Sequence, residues 1–139
     1  IRKMGRKAGA RGLRNVRLLR MEAYYATTYL IPDSSVRCYY IFFPDPWPKK
    51  RHHKRRLLGA KFFDLLAPRV HRHGRLFIAT DSESYAESIV DVVDQSSTWV
   101  NLSGLRRASP RVRFRPVTKF EHKAIDIGST VYDLIFARI

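Results

Sequence analysis

Residues 36–56 read VRCYYIFFPDPWPKKRHHKRR. The opening of this stretch, Val36 to Phe43, is dense in aromatic and β-branched side chains and predicts a buried strand. The strand should stop at Pro44, because proline has no backbone N–H to donate to a sheet ladder. A helix is predicted shortly afterwards, from Lys54 to Ala67, with one apolar face made of Leu58, Phe62, Leu65 and Leu66. A strand followed by an amphipathic helix indicates an α/β fold.

The rest of the chain repeats this alternation. Further helices are predicted at Arg2 to Arg11 (ended by Gly12), Ala23 to Leu30 and Ser82 to Gln95, and further strands at Val16 to Leu19, Leu76 to Thr80 and Val131 to Phe136. Turns are predicted at Pro32 to Ser34 and His71 to Gly74, and a basic irregular segment at Arg106 to Pro116. We therefore expect residues 1–139 to form a single domain with an open α/β sheet, which binds ligands beyond the carboxyl ends of its strands.

The charge balance indicates a polyanionic partner. The chain carries 27 Lys and Arg against 12 Asp and Glu, a formal net charge of +15, and such an excess favours nucleic acid. Cys38 is the only cysteine, which excludes an intrachain disulfide and fits a protein of the reducing cytoplasm. No apolar run approaches the roughly 20 residues that a membrane-spanning helix needs.

Residues 44–48, Pro-Asp-Pro-Trp-Pro, form the most unusual segment, here called the proline loop. Its prolines stiffen the chain and hold Asp45 and Trp47 just beyond a strand's carboxyl end. Trp47 is suited to stack on a base, and the following Lys49 to meet a phosphate. The structural alternative is a simple turn with Trp47 in the core.

Residues 49–56, here called the basic run, contain six Lys or Arg and two His. Such a run is often only a solvated face, but phosphates bound here would bring a nucleotide close to Asp45. The histidines of this region do not have the spacing of a metal-ligand set, and we expect no metal site; they are His52, His53, His71 and His73.

Phe42 to Arg56, FFPDPWPKKRHHKRR, resembles the signature of the tRNA (guanine-N7-)-methyltransferases. Weaker similarities to the same family follow in the family's order along the chain. They are Asn15-Val16-Arg17 with Glu22-Ala23, Ala79-Thr80-Asp81 with Tyr85-Ala86-Glu87, Arg115 to Glu121, Gly128, and Val131 to Leu134. The resemblance therefore covers nearly the whole sequence.

This resemblance implies a class I, Rossmann-like methyltransferase fold with S-adenosylmethionine as the methyl donor. It implies tRNA as substrate, methylated at N7 of guanine 46 in the variable loop. By the same resemblance, Glu22 and Asp45 contact the cofactor, and Asp45 is also the catalytic residue. The implied substrate-binding residues are Lys49, Asp81, Thr118, Lys119, Phe120 and Glu121, of which Lys119 and Glu121 offer an opposite-sign pair.

Departures from the family pattern predict a partial domain. The family's glycine-rich cofactor loop follows the first strand, whereas Gly5, Gly9 and Gly12 fall at helical spacing in a basic stretch. A second acidic cofactor contact at the next strand end is also missing. We therefore expect the C-terminal portion of a methyltransferase domain without its N-terminal strands, with an exposed central sheet edge and weak cofactor binding on its own.

Two other functions remain open from the sequence. A non-catalytic RNA-binding module derived from the same fold would explain the missing loop, although an intact Asp45 argues against it. A structural basic protein has no need for the proline loop at a strand end. The reading frame upstream separates the methyltransferase from the RNA-binding module, because an enzyme would carry a strand and a glycine-rich loop there.

Overall fold

A computed structural model describes residues 1–103 and 115–139 of the chain. Its elements are α1 (Arg2–Ala10), α2 (Ala23–Leu30), β1 (Val36–Phe42), a 3-10 helix (Lys50–Arg55), α3 (Ala60–Arg69), β2 (Val70–Thr80), α4 (Glu83–Asp94), β3 (Trp99–Asn101), α5 (Lys119–Asp126) and β4 (Tyr132–Arg138). Within these residues, no helix combines the length and the apolar character that crossing a bilayer requires.

The strands form one mixed sheet in the order β1-β2-β4-β3. β1 and β2 are parallel, with Phe42 opposite Ala79, and helix α3 makes the crossover between them. β4 is antiparallel to β2 and pairs Tyr132 with Thr80. The carboxyl ends of β1 and β2 and the amino end of β4 therefore meet at one edge of the sheet, and the predicted α/β class is confirmed.

The core lies between this sheet and helices α3 and α4. Most of the predicted apolar positions of the two helices are buried there, while Leu65 and Val92 are half-buried; the buried ones are Leu58, Phe62, Leu66, Tyr85, Ile89 and Val93. Burial of these side chains is the main stabilising term for such a layer, at about 25 cal/mol per Å² of apolar surface. The helix predicted at Ser82 to Gln95 is confirmed, because α4 occupies Glu83–Asp94 between those two cap residues.

Other boundaries also agree with the sequence. Helix α2 has the predicted limits, and Gly12 follows α1 in a left-handed conformation (φ 66°), as a helix-ending glycine does. β1 ends one residue before the predicted limit, and β4 starts and ends slightly later than predicted. The expected segment Arg106 to Pro116 lies outside the described residues except for its last two.

Three predicted elements are wrong. Val16 to Leu19 is not a strand: Val16 and Leu19 are exposed, and no described strand lies beside them to complete a ladder. The helix from Lys54 to Ala67 is broken, because a 3-10 turn precedes it and α3 starts only at Ala60, after Gly59.

His71 to Gly74 is not a turn but an irregular part of β2. The register shifts here, since Val36 faces Val70 while Cys38 already faces Arg75. The extra residues are accommodated by a positive φ of 63° at His73 and by the close packing of Gly74, where an added Cβ would lie 2.9 Å from the Arg37 carbonyl oxygen. A glycine that permits such an approach marks a bulge rather than a chain reversal.

Candidate active site

The proline loop leaves the sheet through a strained corner. Phe43 has a φ of 52° and Trp47 a φ of 43°, values that cost a bulky residue about 1–3 kcal/mol each. The corner is fixed because the Phe43 N–H donates to the Ala79 carbonyl on β2, with N and O 2.7 Å apart. Backbone strain of this kind is tolerated where the surrounding structure holds it, and it is frequent at functional sites.

Glu22 and Asp45 border the same cleft, which has a volume of about 350 Å³ and is here called the strand-end cleft. Its lining consists of Glu22, Ala23, Tyr24, Pro44, Asp45, Trp47, Lys54, Arg55, Arg56 and Leu57. The two residues that the sequence assigns to the cofactor are thus brought together from different elements. Lys49 and Asp81 do not line this cleft; both are exposed, Asp81 directly after β2 and Lys49 at the start of the 3-10 helix.

Glu22 is the N-cap of α2. Its Oε2 accepts from the Tyr25 backbone N–H, with N and O 3.0 Å apart, and satisfies one of the free donors that begin a helix. Hydrogen bonds from the N–H groups of Tyr24 and Tyr25 lower the pKa of the Glu22 carboxyl. The carboxylate is therefore kept charged at the rim of the strand-end cleft.

The far end of α2 is tied to α3, which fixes where Glu22 lies. The Arg69 guanidinium donates to the carbonyls of Thr27 and Thr28 at 3.3 and 3.4 Å and pairs with Asp33 at 2.5 Å. A cation at a helix C-terminus stabilises the helix by complementing its dipole and its free carbonyls.

Trp47 is half-buried and lies against the 3-10 helix rather than in the hydrophobic core. The Arg55 guanidinium lies over its ring at 5.0 Å from the centroid, and the His52 ring meets it edge-on at 5.7 Å. A 3-10 helix has three residues per turn, so His52 and Arg55 project from the same side. The other cations of this helix face solvent; they are Lys50, Arg51 and Lys54.

The last residue of the basic run behaves differently. Arg56 is half-buried and turns towards the proline loop and α4. The sequence did not anticipate this, because nothing in a run of cations distinguishes an inward side chain from an outward one.

Helix α5 supplies the remaining predicted residues. Thr118 and Glu121 form a capping box at its first turn, in which the Glu121 N–H donates to the Thr118 hydroxyl at 3.1 Å. Lys119 and Phe120 are exposed, and the Phe120 ring stacks on Phe43 at a centroid distance of 6.0 Å. This contact places the first turn of α5 beside the start of the proline loop.

The Glu121 carboxylate is not part of a surface pair with Lys119, contrary to the expectation. It is buried against the Arg115 guanidinium, with the Oε2 of Glu121 2.5 Å from Nη1. Arg115 also pairs with Asp133 on β4 at 3.0 Å. Burial disfavours the Arg115 charge, but the hydrogen bonds that its guanidinium donates to Glu121 and Asp133 outweigh this effect and raise the Arg115 pKa. The triad ties α5 to the sheet.

Another cavity, of about 440 Å³, lies between α4 and β4. Its lining includes Glu83, Glu87 and Asp91, which recur every four residues along α4. An acidic lining repels a polyanion, so this cavity is poorly suited to a nucleic-acid substrate. Among the described residues, no group of three or more His, Cys, Asp or Glu side chains is placed to hold a metal ion.

A mixed sheet with a cleft at its strand ends defines an α/β protein, and open sheets of this class bind ligands beyond the carboxyl ends of their strands. Residues 1–134 match a family model described as "Putative methyltransferase". The chain belongs to this methyltransferase family, and its mixed sheet is consistent with part of a class I methyltransferase fold.

Several curated relatives bear the name tRNA (guanine-N(7)-)-methyltransferase. The protein from Chromohalobacter salexigens is 43% identical over 135 residues, which cover 96% of this chain and 55% of the relative. That from Methylobacillus flagellatus is 39% identical over 133 residues, with the same coverage of 96% and 55%. That from Halorhodospira halophila is 42% identical over 125 residues, 90% of this chain and 54% of the relative. The chain thus spans about half the length of the curated relatives it matches.

Proposed function

We propose that the full-length protein containing this sequence transfers a methyl group from S-adenosylmethionine to N7 of a guanine in tRNA. The observation that carries the proposal is the strand-end cleft, which Glu22 and Asp45 both line together with residues of the basic run. The names of the relatives support tRNA as the substrate.

The lining of the strand-end cleft fits the proposed cofactor. A volume of about 350 Å³ lies within the range of small-molecule sites. Glu22 offers a charged acceptor for ribose hydroxyls, and Tyr24 and Trp47 offer aromatic surface for a purine. S-adenosylmethionine, when bound, supplies the electrophilic methyl group.

Asp45 is proposed as the catalytic residue. Guanine N7 has a free lone pair, so the chain need not remove a proton from it. The base instead acquires positive charge as N7 is methylated, and a carboxylate beside it stabilises that charge or fixes the base edge by accepting hydrogen bonds. Asp45 is exposed between two prolines, which hold it in place at little entropic cost.

The RNA is proposed to lie along the basic run and the first turn of α5. Lys49, with the outward cations of the 3-10 helix, is suited to phosphates. Lys119 and Phe120 are exposed beside the proline loop, where a cation and a stacking surface meet a nucleotide. Thr118 and Glu121 contribute mainly by holding this turn, and Asp81 reaches the same edge of the sheet from β2.

Guanine 46 of the variable loop is the proposed target, and the cytoplasm, where tRNA is matured, is the proposed location. A non-catalytic RNA-binding module is the competing function, and it would require the basic surface without the chemistry of Asp45.

Methyl transfer separates these functions. The full-length protein is incubated with unmodified tRNA and methyl-labelled S-adenosylmethionine, and the digested nucleosides are identified. Labelled 7-methylguanosine is the expected product, and a tRNA in which guanine 46 is replaced by adenine should receive no label. Binding of tRNA without any methyl transfer would support the RNA-binding module, and a different methylated nucleoside would refute the assigned chemistry.

A further inference from the structure

Arg56 makes a dense set of contacts for a member of the basic run. Its Nε donates to the Pro46 carbonyl at 2.8 Å. Its Nη1 donates to the Ser84 carbonyl at 3.2 Å and to the Ser88 hydroxyl at 3.1 Å, and its Nη2 donates to the Ser84 hydroxyl at 3.1 Å. The guanidinium also lies over the Tyr85 ring, 4.8 Å from the centroid.

These contacts use most of the hydrogen-bond donors of the Arg56 side chain. A guanidinium has five N–H groups in a planar fork, and four of the five are committed here to acceptors within the protein. Bidentate binding of a phosphate needs two free N–H groups on one edge of the fork. Arg56 is therefore poorly placed to bind RNA, whereas Lys50, Arg51 and Lys54 face solvent.

The contact with Pro46 matters because the proline loop has little else to hold its backbone. Its three prolines have no N–H to donate. In the described part of the chain, backbone hydrogen bonds fix Phe43 before the loop and Lys49 after it, but none joins residues 44–48 to other backbone groups. The bond from Arg56 to the Pro46 carbonyl thus anchors the residue directly after Asp45.

The residues of α4 that Arg56 contacts are held rigidly. Tyr85 is fully buried, and its hydroxyl accepts from the Leu58 N–H at 2.9 Å. Burial raises the pKa of this hydroxyl, which stays protonated. Ser84 and Ser88 are one turn apart on α4 and present their oxygens to the same guanidinium. Arg56 therefore connects the proline loop to the core through α4.

We infer that Arg56 is a positioning residue for Asp45, which holds the proline loop against α4 instead of binding the RNA. The inference rests on the proposed function, because its consequence is the rate of methyl transfer. Misplacement of a catalytic group by about 1 Å can reduce a rate by about 100-fold, and the loss should appear in kcat rather than in tRNA affinity.

The test compares Arg56→Lys with Arg72→Lys in the full-length protein. Both variants keep the charge and remove the fork, but Arg72 is exposed near the opposite end of β2. We expect Arg56→Lys to lower kcat at saturating tRNA by at least about tenfold, with an unchanged Kd for tRNA and an unchanged dependence of that Kd on salt. Arg72→Lys should behave as wild type.

A second variant, Ser84→Ala with Ser88→Ala, removes two hydroxyl acceptors of Arg56 without changing any charge. It should lower kcat in the same direction with normal tRNA affinity, and it decides the matter if Arg56→Lys does not fold. A normal kcat in both variants would overturn the inference, as would a loss of tRNA affinity in Arg56→Lys. A wild-type protein that forms no 7-methylguanosine would instead overturn the proposed function, and this inference with it.

Discussion

Asp45 is exposed between two prolines at the rim of the strand-end cleft, and the chemistry proposed for this protein depends on its carboxylate. The sequence could predict the position of Asp45 just beyond a strand end, because Pro44 ends the strand there, whereas its catalytic role comes from the family resemblance and stays a prediction. It could not identify the strained φ angles of Phe43 and Trp47, since neither residue type favours a left-handed conformation.

Replacement of Asp45 by Asn keeps the shape of the side chain and removes its charge. We expect methyl transfer to fall by about 10²- to 10³-fold, because a charge that develops on the base loses its counterpart. The Kd for tRNA should be unchanged, since the phosphate contacts lie elsewhere. Single-turnover rates with saturating tRNA would measure the loss; a rate within twofold of wild type would remove Asp45 from the mechanism.

The charge of Glu22 should make cofactor binding depend on pH, and the direction of that dependence follows from its pKa. Its pKa is lowered by backbone hydrogen bonds at the start of α2, from an ordinary value of 4.5. Its charge therefore persists above that ordinary value and is lost only as the pH falls through the lowered pKa.

Cofactor affinity of the full-length protein should therefore have no Glu22-dependent change between pH 5 and 8 and should decline only in stronger acid. Glu22→Gln should bind the cofactor more weakly at all these pH values and lack the acid decline. Equilibrium dialysis across pH would measure both. A wild-type decline centred above the ordinary value would contradict the assignment.

Helix α5 has a mostly polar surface, and a buried group of ion pairs holds it in place. Arg115, Glu121 and Asp133 form a buried triad between the helix and β4. A buried ion pair adds little net stability, but removal of one member leaves an uncompensated charge. The first turn of α5, with Lys119 and Phe120, therefore depends on Glu121 for its position.

Glu121→Ala should lower the free energy of unfolding by about 3–5 kcal/mol. Asp126→Ala is the matched control, because Asp126 is an exposed carboxylate at the end of the same helix, and its loss should change stability by less than about 0.5 kcal/mol. Urea denaturation of both variants would measure the difference. Equal effects would show that the triad does not anchor the helix.

The elements also show where sequence patterns stop being informative. Helix α4 follows from its apolar periodicity, and the end of helix α2 follows from the turn signal at Pro32 to Ser34. The irregular stretch of β2 around Gly74 was taken for a turn, because a bulge and a reversal use the same residue types. β3 has only three residues, too few for a period. α5 was missed, although Thr118 and Glu121 have the spacing of a capping box.

At the scale of the whole molecule, charge is distributed unevenly over the surface. The chain has a net charge of +15, yet the cavity between α4 and β4 is lined by carboxylates. The sequence could predict a polyanionic partner from the net charge and the basic run. It could not predict that Arg56 turns inward, because its contacts are made with Ser84 and Ser88 of α4, which lie far from Arg56 in the sequence.

Replacement of Lys50, Arg51 and Lys54 by Ala should weaken tRNA binding and flatten its dependence on salt. Each lost phosphate contact reduces the slope of log K against log salt by about 0.7–0.9. Replacement of Arg37, Arg72 and Arg75 is the control, because these exposed cations lie away from the carboxyl ends of β1 and β2 and change the net charge equally. Equal slopes in the two triple variants would show that the basic run does not face the RNA.

Glu22 and Asp45 are proposed to border one cofactor site. The most direct test is ultraviolet cross-linking of methyl-labelled S-adenosylmethionine to the full-length protein, followed by mapping of the labelled peptides. We predict label in the peptides that contain Tyr24 or residues 44–48, which line the strand-end cleft, and loss of that label in Glu22→Gln. Label confined to the cavity between α4 and β4, or unaffected by Glu22→Gln, would contradict the claim.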